Sequence, residues 1–224
     1  MKSASKSQSS EPRSTKPTAI AILGGTFDPI HIGHLRVAVR LRDSGFDKVL
    51  LVPNRVPPHR AQPQASGDDR LNMLQLSLTG LNGIKASDIE LTQDGTSYSA
   101  RTVEQLRTQY PDAALTWVMG NDAWNGFDRW HKPEQVLANA NILVISRPGE
   151  EARDDAWLGQ LRQEKSCTLN ELQHSPHGRV CHQAWPELDI SASDLRQAIK
   201  QGDNIAFLTP QPVLEYIQKH HLYS

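Results

Sequence analysis

Two short stretches of the chain are apolar at every position, and they restrict its fold more than any other feature. Residues 49–52 read Val-Leu-Leu-Val and residues 142–145 read Ile-Leu-Val-Ile. A strand with one face in water alternates polar and apolar residues, whereas a strand buried on both faces does not. Each stretch is therefore predicted to be a strand in a sheet that other structure covers on both sides.

Strand and helix patterns alternate along the chain. Strands are predicted near 19–23, 48–52, 84–91, 114–119 and 141–146. Helices are predicted near 34–44, 68–80, 99–109, 133–139, 192–201 and 211–219. This order favours a doubly wound (Rossmann-like) α/β fold, with a parallel sheet, helices on both faces and a small C-terminal helical segment. In such sheets ligands bind beyond the carboxyl ends of the strands.

The 224 residues predict a single domain over 18–224. Residues 1–17 are rich in serine and basic residues and poor in apolar ones, so we expect a disordered tail. A transit peptide is the alternative, but Glu11 and the lack of an apolar face count against it. Residues 149–186 begin with a run of charges and are interpreted as a variable surface excursion. We expect its histidines, His174, His177 and His182, to lie in an exposed loop rather than at a metal.

Composition excludes several classes of function. The net charge is −1, so no overall field recruits nucleic acid or an anionic membrane. No apolar run approaches the roughly 20 residues of a membrane span. Cys167 and Cys181 have neither metal-ligand spacing nor the pattern of a disulfide framework. We therefore expect a cytoplasmic protein without nucleic-acid or membrane partners, and the sequence leaves a homo-oligomer possible.

The segment 24–35 reads Gly-Gly-Thr-Phe-Asp-Pro-Ile-His-Ile-Gly-His-Leu, between a predicted strand and a predicted helix. The first turn of a helix offers backbone N–H groups to an anion. Glycine has no Cβ, so the two glycines are expected to let a phosphate approach the backbone. His31 and His34 then lie where a triphosphate would bind. A shared zinc ion is the alternative, but no third ligand follows at convincing spacing.

A second segment, 190–196, reads Ile-Ser-Ala-Ser-Asp-Leu-Arg at the start of another predicted helix. Ser191 or Ser193 is suited to cap that helix, and Asp194 favours its first turn. Arg196 lies near the end of the helix that attracts anions, and its planar guanidinium can hold phosphate oxygens in pairs.

These two segments resemble the paired phosphate-binding motifs of the nucleotidyltransferase superfamily that is related to class I aminoacyl-tRNA synthetases. Residues 31–34 spell the HIGH sequence of that superfamily. The segments 52–60, 96–102, 119–122, 127–131 and 146–149 follow in the order found in bacterial nicotinate-nucleotide adenylyltransferases. That resemblance extends from about residue 18 to residue 224, and it is loose over 149–186.

The resemblance implies transfer of AMP from Mg-ATP to nicotinate mononucleotide, which gives deamido-NAD and pyrophosphate. It implies three catalytic residues: His31, His34 and Arg196. The implied ATP-binding residues are Gly24, Gly25, Thr26, Phe27, Gly33, Gly120, Asp122, Ile190, Ser191 and Ser193. The implied residues for the mononucleotide are Asp28, Arg60, Ser99, Trp130, His131 and Arg147. Mg²⁺ is expected to be held by the phosphates of ATP rather than by protein ligands.

Two positions depart from the family pattern. Ser99 replaces the usual threonine of Ser-Tyr-Thr, and Arg60 replaces a common lysine. Both keep the hydroxyl or the charge, although Arg60 changes the geometry of that charge. Three alternatives stay open on sequence alone: another transferase of the superfamily, a tRNA synthetase, and a nucleotide-binding sensor without catalysis. The missing basic RNA-binding surface disfavours the synthetase.

Overall fold

The structure is a computed structural model that describes residues 17–56, 62–146, 153, 155–186 and 188–224. Within these ranges the strands are β1 (Ala19–Gly25), β2 (Lys48–Pro53), β3 (Ile84–Ala86), β4 (Ala114–Gly120), β5 (Asn141–Ser146) and β6 (Val180–Ala184). They form one sheet in the order β3-β2-β1-β4-β5-β6, and every neighbouring pair is parallel.

Helices connect the strands in this part of the chain. They are α1 (Ile32–Asp43), α2 (Gly67–Ser77), α3 (Ser99–Gln109), α4 (Asn121–Trp124), α5 (Pro133–Asn139), α6 (Ala156–Lys165), α7 (Leu169–His174), α8 (Ala192–Gln201) and α9 (Gln211–Lys219). A short 3₁₀ turn, Phe127–Arg129, lies between α4 and α5. The predicted fold class, a parallel sheet in a doubly wound α/β fold, is confirmed.

The two faces of the sheet are buried in separate cores. On β1, Ala19 and Ala21 face the core that holds side chains of α1, α2, α7 and α9. The alternate residues Ile20 and Ile22 face the core that holds side chains of α3, α5 and α6. All four side chains are fully buried. This double burial is the physical reason for the continuous apolar strands, because no strand face is left for water.

The order of the strands places the site. β1 pairs with β2 on one side and with β4 on the other, so the chain changes direction across the sheet between β1 and β4. The loops after these two strands leave in opposite directions, which opens a crevice at their carboxyl ends. Gly24 and Gly25 end β1 at this point, and Gly120 ends β4.

β3 is shorter than predicted. The sequence pattern suggested a strand over 84–91, but the strand ends at Ala86 and the chain then turns, with Thr92 N donating to Asp88 O (3.1 Å). Ile89 and Glu90 are buried in spite of this. Their burial comes from packing beside α3, where Thr102 Oγ1 donates to Glu90 Oε1 (2.6 Å), and not from a place in the sheet.

The described residues of 149–186 differ from the predicted surface excursion. They contribute α6, α7 and β6, and β6 pairs with β5 at the edge of the sheet. Leu158, Leu172 and Val180 from these elements are fully buried. A capping box starts α7, in which Thr168 Oγ1 accepts from Glu171 N and Glu171 accepts from Thr168 N. The segment is therefore part of the cores.

The histidines of this segment do not share one loop. His174 ends α7 and is exposed, His177 lies in an exposed turn, and half-buried His182 lies on β6 against the ring of Trp124. Among the described residues no group of three or more His, Cys, Asp or Glu is arranged to hold a metal ion. No described helix has the length and apolar character needed to cross a bilayer. The predicted disordered tail, residues 1–17, lies outside the described residues except for Pro17.

We predict that Leu172→Ala lowers the free energy of unfolding by about 2–5 kcal/mol, because it leaves a cavity where α7 packs on the sheet. Leu81→Ala is the matched control: Leu81 is 37% exposed, and its loss should change stability by less than about 0.5 kcal/mol. Urea denaturation at pH 7 measures both values. If both substitutions change the free energy of unfolding by equally small amounts, the segment 149–186 is a surface excursion after all.

Candidate active site

A cleft of about 930 Å³ opens at the carboxyl ends of β1 and β4. Its size suits a small-molecule ligand. It brings together every described residue that the sequence nominates for the site. These are Gly24, Gly25, Thr26, Phe27, Asp28, His31, Gly33, His34, Ser99, Gly120, Asp122, Trp130, His131, Ile190, Ser191, Ser193 and Arg196. The two other nominated residues, Arg60 and Arg147, lie outside the described residues.

The two histidines of the first motif form a stacked pair. Their ring centroids are 3.7 Å apart with 29° between the ring planes, and the ring of Phe27 packs edge-on against His34. His31 is the N-cap residue of α1, with an extended backbone (φ −141°) and no side-chain cap bond. The stacking fixes both imidazoles at the start of α1, where anions are favoured.

Burial alters the charge state of His31. Only 5% of His31 is exposed, and desolvation lowers its pKa from 6.5 to about 4. Its Nδ1 has no hydrogen-bond partner among the described residues. His31 is therefore neutral at pH 7 while no ligand is bound. An anion in the cleft favours the protonated form and acts against the desolvation.

Glycine is required at positions 24 and 33 by neighbouring rings. A Cβ on Gly24 would lie 2.7 Å from Cζ2 of Trp117, and a Cβ on Gly33 would lie 2.9 Å from Nδ1 of His31. A Cβ on Gly25 would likewise lie 2.9 Å from Cζ of the Phe27 ring. Gly24 and Gly25 were expected to leave room for a phosphate. On the side of the backbone where a Cβ would lie, this expectation is wrong, because protein rings fill that space.

Arg196 reaches the cleft from the first turns of α8. Of the two serines predicted as possible caps, Ser191 caps this helix by accepting from Asp194 N (3.1 Å). The guanidinium of Arg196 donates to Asp28 O (2.6 Å) and to Ser193 Oγ (3.2 Å). Its Nε has no hydrogen-bond partner among the described residues. A cation whose donors are not all used thus faces the same space as the histidine pair.

Asp28 lies beneath this cation and is only 3% exposed. Its carboxylate accepts from Gln64 N (2.8 Å), Ala65 N (3.1 Å) and Tyr223 Oη (2.8 Å). Nη1 of Arg196 lies 3.8 Å from Oδ2. A buried carboxylate needs this many donors, since its charge is costly to remove from water. The carboxylate is thus hydrogen-bonded to the protein, and Asp28 lines the cleft as well.

The far end of the cleft is aromatic. Trp130 packs edge-on against Trp117 and Phe127, and the ring of His131 stacks on Tyr98 at 4.3 Å. Ser99 is the first residue of α3, and no side chain caps that helix. First-turn N–H groups and an aromatic wall are therefore close neighbours at this end.

Sequence reasoning missed several lining residues. Trp117 lines the cleft from a strand that otherwise reads as core. Glu90 lines it too, and burial raises the pKa of that carboxyl, while hydrogen bonds from Thr102 and Ser97 act against the rise. Asn54, which follows β2, donates to Thr26 Oγ1 (3.3 Å). The available signal was an acidic residue, Glu90, between two apolar ones, Ile89 and Leu91.

The chain matches a family model. The model described as "Cytidylyltransferase-like" covers residues 22–198. A protein of Shewanella sp. (strain W3-18-1), named "Probable nicotinate-nucleotide adenylyltransferase", is 39% identical over 211 residues, which are 91% of this chain and 98% of that protein. One of the same name from Chromohalobacter salexigens is 37% identical, over 93% of this chain and 97% of its own.

Solved structures have the same fold. The nicotinic acid mononucleotide adenylyltransferase of Plasmodium falciparum, complexed with NaAD, superposes with a TM-score of 0.70 at 17% identity. The alignment covers 92% of this chain and 97% of the other. A structure from Vibrio parahaemolyticus, described as a nicotinate-nucleotide adenylyltransferase, gives a TM-score of 0.61 at 21% identity, over 92% and 95% of the two chains.

We predict that stability falls with acid partly through His31. Between pH 6.5 and about 4 the unfolded chain binds a proton at this ring that the folded chain does not. The free energy of unfolding therefore rises with pH across this window, by about 3 kcal/mol in all, and the full gain is present above pH 6.5. Urea denaturation of the wild type and of His31→Asn at pH 4.5, 5.5 and 7 measures it. The wild type should lose more stability on acidification than the variant; parallel losses would contradict desolvation of His31 as the cause.

Proposed function

The chain belongs to the cytidylyltransferase-like family, and we propose that it is a nicotinate-nucleotide adenylyltransferase that transfers AMP from ATP to nicotinate mononucleotide in NAD biosynthesis. Deamido-NAD and pyrophosphate are the products. One observation carries this proposal: the stacked His31–His34 pair and the partly unused Arg196 face one cleft in a chain 39% identical to relatives of that name.

The reaction needs no protein nucleophile. An oxygen of the mononucleotide phosphate attacks the α-phosphorus of ATP in line, a new P–O–P bond forms, and the bond from the α-phosphorus to the bridging oxygen breaks. The electron pair leaves on pyrophosphate. Since both reactants are anions, the protein contributes mainly by aligning them and stabilising the charge of the transition state.

The histidine pair is proposed to bind phosphate oxygens of ATP. The neutral imidazole of His31 donates one N–H, and the negative charge of the triphosphate favours a second proton. The stack with His34 keeps both rings fixed as charge develops. Preorganised donors of this kind are effective because they need no reorganisation during the reaction.

The N-terminus of α8 is proposed to hold the rest of the triphosphate. Arg196 supplies the positive charge, and Ser193 fixes the guanidinium by accepting from Nη2. The remaining proposed ATP-binding residues all line the cleft: Gly24, Gly25, Thr26, Phe27, Gly33, Gly120, Asp122, Ile190 and Ser191.

We propose Mg²⁺ as the cation that accompanies ATP. The cleft carboxylate of Asp28 is engaged with protein donors, which fits a cation held mainly by phosphate oxygens and water. When bound, the cation neutralises phosphate charge. The residues of this chain then position the nucleotide.

The acceptor is proposed to bind at the aromatic end. Trp130 offers a ring for stacking on the pyridine, and the N–H groups near Ser99 and His131 can receive the nicotinate carboxylate. Donors that lack an acceptor disfavour the amide of nicotinamide mononucleotide. We assign Asp28 a supporting role instead of substrate contact, because an anionic carboxylate repels the anionic acceptor. A cytoplasmic location remains our proposal and fits the free thiols of Cys167 and Cys181.

Pyrophosphate release from Mg-ATP tests the activity, with nicotinate and nicotinamide mononucleotide as competing acceptors. We expect release with the nicotinate form and a clear preference for it, since the amide leaves donors unpaired. Release with neither acceptor, alongside tight ATP binding, would turn the search to other acceptors of the superfamily. No release with any acceptor would favour a nucleotide-binding sensor.

We predict that His34→Ala lowers turnover by about 10²–10³-fold without unfolding the protein, as is common when a preorganised transition-state donor is removed. Steady-state rates with saturating substrates measure this, and circular dichroism checks the fold. Exposed His174→Ala is the matched control and should keep wild-type turnover. Near-normal turnover of His34→Ala would refute its catalytic role.

A further inference from the structure

Tyr223, which follows α9 near the opposite end of the described chain, contacts Asp28, a residue that lines the cleft. Its side chain is buried, and its hydroxyl donates to Asp28 Oδ1 (2.8 Å) across 195 residues of sequence. Its backbone adopts a left-handed conformation (φ 67°), which is uncommon for a residue with a bulky side chain. The surrounding structure therefore holds this residue in a backbone conformation that carries a conformational cost.

The hydroxyl completes the donors around one carboxylate. Asp28 Oδ2 accepts from Gln64 N, and Oδ1 accepts from Ala65 N at 3.1 Å and from Tyr223. Without the hydroxyl, Oδ1 keeps the longer of its two bonds. The carboxylate would then be held less firmly in its present plane, because it keeps two backbone donors but loses the short bond from the phenol.

Asp28 contacts Arg196 through both its main chain and its carboxylate. Nη1 of Arg196 donates to the backbone oxygen of Asp28 and lies 3.8 Å from its Oδ2. In the described chain this guanidinium also donates to Ser193 Oγ, on its own helix. A shift of the Asp28 carboxylate therefore acts on this cation through the 3.8 Å ion pair, while the hydrogen bond to the main-chain oxygen is kept.

Tyr223 remains a donor at any working pH. Burial and the neighbouring Asp28 raise the pKa of its phenol, and the guanidiniums of Arg196 and Arg70 oppose this only in part. Arg70 is 1% exposed and donates to Thr26 O (2.8 Å), in the loop between β1 and α1 that also holds Asp28. The hydroxyl therefore lies among charged groups that it helps to order.

We infer that Tyr223 is a positioning residue for ATP: its hydroxyl fixes Asp28, and Asp28 fixes the Arg196 guanidinium in the cleft. The inference rests on the proposed function for its kinetic part. Tyr223 does not touch substrate in this scheme, so its effect is confined to the triphosphate end and leaves the binding of the acceptor unchanged.

The test is Tyr223→Phe, which removes the hydroxyl and keeps the ring. Tyr216→Phe is the matched control, because Tyr216 on α9 also donates to a carboxylate, that of Asp69 (2.9 Å), but lies outside the cleft. We expect Tyr223→Phe to lower kcat/KM for ATP by about tenfold or more, with KM for the mononucleotide within about twofold, as for loss of a hydrogen bond to a charged group. Tyr216→Phe should keep all constants near wild type.

A double-mutant cycle with Arg196→Ala identifies the route of the effect. The probe is a non-hydrolysable ATP analogue, whose Kd is measured by calorimetry at a temperature where circular dichroism shows each variant folded. We expect Tyr223→Phe to weaken binding about tenfold in the wild type and less than about twofold in Arg196→Ala. An equal loss in both backgrounds overturns the inference, as does a Tyr223→Phe protein that behaves like Tyr216→Phe.

Calorimetry also separates this inference from the proposed function. If the wild type binds the ATP analogue but releases no pyrophosphate with nicotinate mononucleotide, the proposed function fails while the positioning role is still measured. If the wild type is active and the cycle shows no coupling, the positioning role fails alone. A Tyr223→Phe variant that loses activity only in proportion to its unfolded fraction, with unchanged KM values, also overturns it.

Discussion

The site depends on one buried negative charge. Removing a carboxylate from water is costly, so a protein keeps such a charge only where donors and cations surround it. At Asp28 these come from four separate parts of the chain: the segment of Gln64 and Ala65, Arg70 of α2 nearby, Arg196 of α8 and Tyr223. The contacts to this carboxylate therefore hold together parts of the chain that the sheet alone does not connect.

The sheet provides the frame around that charge. Because both faces of β1 are buried against helices, its residues up to Leu23 have no freedom of register, and the chain beyond it leaves the sheet at a fixed point. The stacked pair of His31 and His34 follows directly. Rings of Trp117 and Phe27 fill the sides of Gly24 and Gly25 where a Cβ would lie, so that side of the turn is closely packed. Cations and donors held this rigidly suit a reaction between two anions.

Much of this was readable from the sequence because the signals were local. Continuous apolar runs predicted β2 and β5, and one of the two serines that the sequence offered as a cap, Ser191, caps α8. β6 was missed because His182 and Gln183 interrupt its apolar residues, and an edge strand of five residues has no distinctive period. The partners of Asp28 were also missed. Whether a carboxylate meets substrate or a distant phenol is decided by contacts 195 residues apart, which no local pattern encodes.

The long sequence separations of the contacts at Asp28 affect the order in which the protein folds. Contacts between residues 168 and 195 positions apart close very large loops, whose entropic cost must be met before they stabilise anything. The contacts within α1 or between β1 and β2 form over far shorter distances. We expect the order of folding to follow: the histidine pair and its helix are local, whereas the guanidinium beside Asp28 takes its place only when both ends of the domain have met. Competence to bind the nucleotide then becomes a late event, coupled to completion of the fold itself.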